Sequence, residues 1–229
     1  MGNLERFWGD EFEAWKERKS RSGYGYLVYS ERMKKITYRG KILEIGVGDA
    51  RYLELLSRKN IEIFGIDIIE KACENARESN FPVVLADARR LPFRSNCFDI
   101  TYSYGVIEHF TETQEAIEEG IRVTKKNGKI IITVPYFYSP YTILSAFWYM
   151  LRGKWRMRPA SYGKRYTKGK IEKMLSNLPV QVIAIEPFYI GAFFEVLPLR
   201  PFKTFFLKLE GKPVFKHLGN MLWVELKKI

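Results

Sequence analysis

The chain changes rhythm twice. In residues 4–20 the apolar side chains Leu4, Phe7, Trp8, Phe12 and Trp15 fall roughly along one helical face, which predicts an amphipathic helix. Ser20-Arg-Ser-Gly-Tyr-Gly breaks it, and residues 27–36 read as a second helix. From Lys41 short apolar runs alternate with helical spacing. Residues 42–45 form a buried strand stopped by Gly46-Val-Gly48, and residues 50–58 form a helix carrying Leu53, Leu55 and Leu56. Residues 61–66, 82–85, 98–102 and 129–134 are further strands, with helices at 69–78 and from Thr111 to about Val123. Thr111-Glu-Thr-Gln114 has the spacing of a capping box, and Asn127-Gly128 supplies a turn. Strands and helices alternating at this interval predict βαβ units and a parallel sheet covered on both faces.

After Pro135 the alternation stops. Residues 136–166 are aromatic, basic and irregular. Residues 168–178 return as a helix and 179–185 as a strand; residues 188–220 are apolar with interspersed Lys and helical in part; residues 221–226 close the chain as a strand. The expected fold class is α/β: a seven-stranded, mostly parallel sheet with helices on both faces and a helical, aromatic cap insertion. The two late strands are free to run antiparallel, because a turn can join them without a crossover helix.

The chain of 229 residues fits one domain with room for that cap. Its parts are an N-terminal helical segment (1–36), a ligand-binding core (40–135), the cap (136–166) and a completion of the sheet (167–229) interrupted by an insertion at 188–220. With 46% hydrophobic and 15% aromatic residues, global disorder is excluded. Charge is uneven: residues 1–40 carry net +3, residues 41–135 net −2, and residues 136–229 net +11, with 16 basic against 5 acidic side chains. Such a balance bears on partners rather than fold. Two cysteines, Cys73 and Cys97, exclude a disulfide scaffold and indicate a reducing compartment. The first ten residues lack the apolar run of a signal peptide, Arg6 stands where a myristoylation signal wants Ser or Thr, and the apolar stretch 141–151 is too short to span a bilayer. The expected location is cytoplasmic, without a transmembrane segment, and peripheral contact with membrane stays open.

Ile42-Leu-Glu44-Ile-Gly46-Val-Gly48-Asp-Ala50 sits at a strand-to-helix turn, where glycine lets backbone approach a ligand closely. Asp67 ends the second strand nineteen positions after Gly48, where a carboxylate can accept from ribose hydroxyls; Asp87 ends the third. Strand ends in an open α/β sheet face the ligand crevice. Glu44 and Asp49 would repel a diphosphate, and Arg51 replaces the third glycine of a dinucleotide fingerprint, so a dehydrogenase is the less favoured enzyme. The carboxylates suit a ligand with an ammonium group and no phosphate.

These runs, with Ala86-Asp87-Ala88-x-x-Leu91-Pro92-Phe93, Phe98-Asp99-x-x-x-Ser103-x-x-x-Ile107-Glu108-His109 and Gly128-Lys-Ile-Ile-Ile-Thr-Val-Pro135, resemble class I S-adenosylmethionine-dependent methyltransferases. The nearest branch contains ubiquinone and menaquinone methyltransferases. The resemblance covers residues 40–135 and implies a Rossmann-like fold that binds S-adenosylmethionine and releases S-adenosylhomocysteine. It assigns the turn from Glu44 through Gly46 to Gly48 to the methionine portion and Asp67 to the ribose. Ile68 falls against the adenine, Asp87 on its amino group with Ala88 beside it, and Ser103 and Tyr104 at the sulfonium end. The family's third small glycine is Ala50 here. Asp99, at the start of its strand, is expected to be structural.

A methyl sulfonium is already activated, so catalysis consists mainly of aligning the acceptor. Where an acceptor must lose a proton, His109 is the candidate base; ordering of its loop is the alternative. His217 lacks any motif, and neither cysteine has metal-ligand spacing, so no metal is expected. The aromatic segment after Pro135 reads either as a lid over an apolar pocket or as a helix packed on the sheet. Arg152-Gly-Lys-Trp-Arg-Met-Arg158 and Tyr162-Gly-Lys-Arg-Tyr-Thr-Lys168 interleave cations with aromatics, as surfaces for phosphates or anionic lipid do. The favoured acceptor is a small molecule, anionic or lipid-like, and a plain solubilising surface is the second reading of the basic stretch. RNA is an alternative, and so is a non-catalytic module that keeps the ligand for structure only.

Overall fold

The computed structural model describes residues 24–36, 39–57, 61–139, 151, 163–190, 205, 208–210, 212 and 217–229. The helix expected at 4–20, most of the cap and most of the 188–220 insertion lie outside the described residues. The elements are α1 (Tyr24–Lys34), β1 (Lys41–Ile45), α2 (Arg51–Ser57), β2 (Glu62–Asp67), α3 (Glu70–Glu78), β3 (Val83–Leu85) and β4 (Phe98–Tyr104). A 3-10 turn (Ile107–His109) follows, then α4 (Thr113–Val123), β5 (Thr124–Pro135), α5 (Lys168–Leu175), β6 (Val180–Phe188) and β7 (Met221–Lys228).

The strands make one sheet in the order β3-β2-β1-β4-β5-β7-β6. β1 to β5 pair parallel, while β7 lies antiparallel to both β5 and β6. One strand of seven is therefore reversed, and the last strand in sequence is interior to the sheet. Strand residues alternate between two cores. Ile42, Ile100, Tyr102, Ile131 and Trp223 face Tyr29 and Met33 of α1, Leu53 and Leu56 of α2, and Ala72 and Ala76 of α3. Leu43, Ile45, Ile130, Ile132, Val134 and Val224 face Ile117 and Ile121 of α4 and Ile171 and Leu175 of α5. Among the described residues no helix is long and apolar enough to cross a membrane.

Two expectations are corrected. The capping box at Thr111 does not form: the helix begins at Thr113, its cap position is Glu112, and no side chain caps it. Thr113 instead turns inward, where its Oγ1 donates to the Phe110 carbonyl and pairs with the Tyr166 hydroxyl at 3.1 Å. β5 begins at Thr124 rather than Lys129, because the chain passes from α4 directly into pairing with Phe98 before a register shift. Asn127 takes a left-handed φ of 62° within the strand instead of ending a separate turn.

Candidate functional site

The turn after β1 is built by three left-handed residues. Gly46, Gly48 and Ala50 have φ of 80°, 52° and 59°. Gly46 and Val47 donate to the Ile66 carbonyl at 2.8 and 3.1 Å, tying the turn to the end of β2. A Cβ at Gly46 would run into the Val106 side chain. Ala50 occupies a conformation that costs an L-residue about 1–2 kcal/mol, so the position expected to tolerate alanine does so with strain.

Asp67 ends β2 beside this turn and is 6% exposed. Its Oδ2 accepts from the Gly48 N–H and its Oδ1 from the Ile69 N–H, both at 2.9 Å. Burial raises its pKa, and these backbone donors oppose the rise. Ile68 beside it is half-buried.

Glu44 stands opposite Tyr102 in the β1–β4 register and is 2% exposed. Burial pushes its carboxyl well above the usual range, and the negative charges of Asp49 and Asp67 add to it. Its Oε2 has no hydrogen-bond partner among the described residues. A buried carboxyl oxygen left unmatched beside two more carboxylates could hold a cation once ionised. That fits the ammonium and sulfonium charges of S-adenosylmethionine and disfavours a diphosphate.

The sequence reading did not single out two neighbours as site residues. Arg51 is buried and pairs with Asp49 through Nε, at 2.7 Å to Oδ1, and through Nη2. Its guanidinium lies 5.7 Å from the centre of the Tyr26 ring. Tyr52 is stacked on Tyr26, and Tyr104 lies 5.4 Å from Tyr52 and 4.3 Å from Tyr29. The signal available in sequence was the cation directly after the glycine turn. The aromatic partners come from three separate elements, and of them only Tyr104 was singled out in the sequence.

Asp87 follows β3. Its Oδ1 accepts from the Arg89 backbone N–H at 2.9 Å, and Arg89 Nη2 reaches Oδ2 at 2.7 Å. Burial alone would raise this carboxyl, but the Arg89 hydrogen bonds outweigh it and hold the pKa low. Arg89 also bonds Glu112 at 2.6 Å and lies over the Phe110 ring, so it joins the loops after β3 and β4. Ala88 is buried in the core beneath. Ser103 and Tyr104, adjacent on β4, point to opposite faces: Tyr104 joins the Glu44 side, while Ser103 is buried in register with Ile45 and Ile132. His109 ends the 3-10 turn with Nε2 4.0 Å from Glu108 Oε1. Asp99 lies at the far end of the sheet, where Oδ2 accepts from the Lys41 N–H and from Lys125 Nζ.

Residues 43–132 match the protein family described as a methyltransferase domain. The uncharacterized protein MJ1252 of Methanocaldococcus jannaschii is 32% identical over 162 residues, which cover 69% of this chain and 61% of that protein. The tRNA (carboxymethyluridine(34)-5-O)-methyltransferase ALKBH8 of Macaca fascicularis is 27% identical over 161 residues, 68% of this chain and 22% of that protein. This chain thus spans less than two thirds of either relative. A solved S-adenosylmethionine-dependent methyltransferase of Thermotoga maritima, described as a possible histamine N-methyltransferase, superposes with a TM-score of 0.72 at 17% identity, covering 99% of this chain and 100% of that one. At that identity the likeness speaks to fold. Together with the matched domain, it leads to one conclusion: residues 43–132 carry a methyltransferase domain, on the fold of solved S-adenosylmethionine-dependent methyltransferases.

Proposed function

We propose that this protein transfers a methyl group from S-adenosylmethionine to a small or lipid-like, anionic acceptor. The observation that carries the reading is the unmatched, buried Glu44 oxygen beside an aromatic wall formed by Tyr29, Tyr52 and Tyr104. When bound, S-adenosylmethionine supplies a methyl group already activated on a cationic sulfur. The protein's own part is orientation. Glu44 holds the cationic end, Asp67 the ribose and Asp87 the adenine amino group, while Gly46 and Gly48 let the backbone come close. The aromatic wall excludes water and favours an apolar acceptor body. His109 takes the proton from an acceptor that must lose one.

A second reading, RNA as acceptor, is favoured by relatives such as ALKBH8, whose name assigns it tRNA. Two described cations of the basic segment are engaged within the protein. Lys164 Nζ donates to the Phe110 and Thr111 carbonyls at 2.8 Å each, and Arg165 donates to the Tyr136 carbonyl at 3.4 Å. The proposed placement among ubiquinone and menaquinone methyltransferases points to the lipid-like acceptor.

Incubation of the protein with methyl-labelled S-adenosylmethionine and fractionated cell extract separates the readings. Label is expected in the lipid or small-metabolite fraction. Label confined to RNA establishes the second reading, and tight cofactor binding without transfer to any fraction establishes a non-catalytic module.

A further inference from the structure

We infer that the crevice edge of the sheet, on the side of β5, β7 and β6, is a docking surface for an anionic phospholipid bilayer, where exposed aromatic rings and cations stand together. The inference rests on the reading of the acceptor as lipid-like and adds where such an acceptor is met.

Strand register brings the surface together. Pro135 at the end of β5 stands opposite Met221 at the start of β7, and Met221 opposite Phe188 at the end of β6. β5 runs parallel to β4 and β4 to β1, so these three strand ends share the edge that carries the glycine turn. The segments leaving them are bonded to one another. The Phe137 N–H donates to the Tyr166 carbonyl and the Tyr166 N–H to the Pro135 carbonyl, both at 2.9 Å. The Tyr136 N–H donates to the Asn220 carbonyl at 2.9 Å, and Ser139 Oγ bonds Asn220 Oδ1 at 2.9 Å. Residues 136–139, 163–168 and 217–220 therefore make one platform.

Apolar groups on that platform face water. Phe137 is 52% exposed, Tyr138 58% and Leu218 38%, while Tyr136 and Tyr166 on the same segments are buried. The Phe137 and Tyr138 rings meet edge to face at 5.2 Å, and Tyr138 meets Tyr136 at 5.9 Å. Large apolar groups exposed as a group, rather than singly, mark an interaction surface.

Charge names the partner. Among the described residues of these segments and of 208–212, the cations are Lys164, Arg165, Lys168, Lys208 and Lys212, and the acid is Glu210. Glu210 is turned to the backbone, where it accepts from the Tyr189 and Ile190 N–H groups at 3.2 and 2.6 Å. A cationic rim around exposed aromatics matches the headgroup region of an anionic bilayer, which attracts the charge and takes up the rings. RNA would also meet cations and rings, but two observations favour lipid. The rings stand edge to face, so they form an apolar ridge rather than open parallel faces on which bases stack. Lys164 and Arg165 donate to the Phe110, Thr111 and Tyr136 carbonyls. Their charge still acts on a charged surface, but donors that would grip individual phosphates are committed.

Sedimentation of the protein with vesicles tests this. The vesicles are phosphatidylcholine alone or phosphatidylcholine with about one third phosphatidylglycerol, without methyl donor or acceptor. Wild type should partition onto the anionic vesicles at least about tenfold more strongly than onto the neutral ones, and less so as salt is raised. Phe137→Ser with Tyr138→Ser should lose at least about tenfold of that partition. Val84→Ser with Leu85→Ser, at exposed apolar positions on the opposite edge strand β3, should bind as wild type does. An aromatic variant that binds like wild type, or an equal loss in the β3 variant, overturns the inference. So does a wild-type protein that ignores anionic vesicles or prefers single-stranded RNA to them. Should the aromatic variant fail to fold, hydrogen exchange of wild type with and without anionic vesicles decides. Peptides covering 136–139 and 217–220 must gain protection; protection elsewhere only, or nowhere, overturns the surface. Label reaching lipid from a protein that ignores vesicles keeps the acceptor reading and removes the docking surface. Label confined to RNA removes the acceptor reading, and the inference with it.

Discussion

Glu44 shows how a residue useful for binding burdens the free protein. Its carboxyl is pushed above the usual range chiefly by burial, so the folded state keeps a proton at a pH where the unfolded chain has lost it. Stability contributed by that proton is present at low pH and is lost as pH rises through the raised pKa. Glutamine does not titrate. Glu44→Gln is therefore expected to match wild type near pH 4 and to gain on it as pH rises, by about 1–3 kcal/mol at neutral pH, the usual cost of a buried unsatisfied group. Thermal melts of both proteins across pH check this. The same variant should lose most of its affinity for S-adenosylhomocysteine, whose ammonium favours the ionised carboxylate. In wild type that affinity should rise with pH over the same window, whereas a flat difference between the two proteins would exclude Glu44 as the titrating group.

At the scale of elements, the start of α4 is held from inside rather than by a cap. Thr113 is buried between the Phe110 carbonyl and the Tyr166 hydroxyl, and Lys164 Nζ reaches the neighbouring Phe110 and Thr111 carbonyls. The loop bearing His109 is thereby tied to the segment entering α5. Thr113→Ala leaves the buried Tyr166 hydroxyl short of a partner, while the Phe110 carbonyl keeps Lys164 Nζ, and should cost about 1–2 kcal/mol. Thr111→Ala, at an exposed position without a capping role, should stay within about 0.5 kcal/mol. Urea denaturation of the pair distinguishes this arrangement from the capping box that the spacing predicts, under which Thr111 would be the costly residue.

For the whole molecule, the decisive feature is that β7 lies between β5 and β6. Its residues Leu222, Trp223, Val224 and Leu226 are buried, alternating between the two cores. A chain ending before Met221 would expose the edges of both neighbours and lose apolar burial on both faces. It is expected to lose cooperative unfolding altogether rather than merely fray, and circular dichroism melts of the truncated protein test this. A melt retaining a sharp transition would mean that β1 to β5 form a stable unit alone.

Much of this was legible along the chain. Periodicity located every described strand, and all but the start of β5 to within three residues, because parallel strands covered on both faces read as short apolar runs. The glycine turn and the acids at three strand ends were legible for a related reason: they are local, and a strand end fixes on which edge a residue stands. Partners were not legible. That Thr113 and not Thr111 carries the loop, that Asp49 locks Arg51, that Ser103 and Tyr104 part to opposite faces beside Tyr29 and Tyr52, and that the last strand enters the middle of the sheet all depend on contacts between distant segments. Hydrophobic pattern states that a segment must be covered and leaves unsaid by what. Strand order, register and the one unmatched oxygen in the site are settled only when all the segments compete for the same interior.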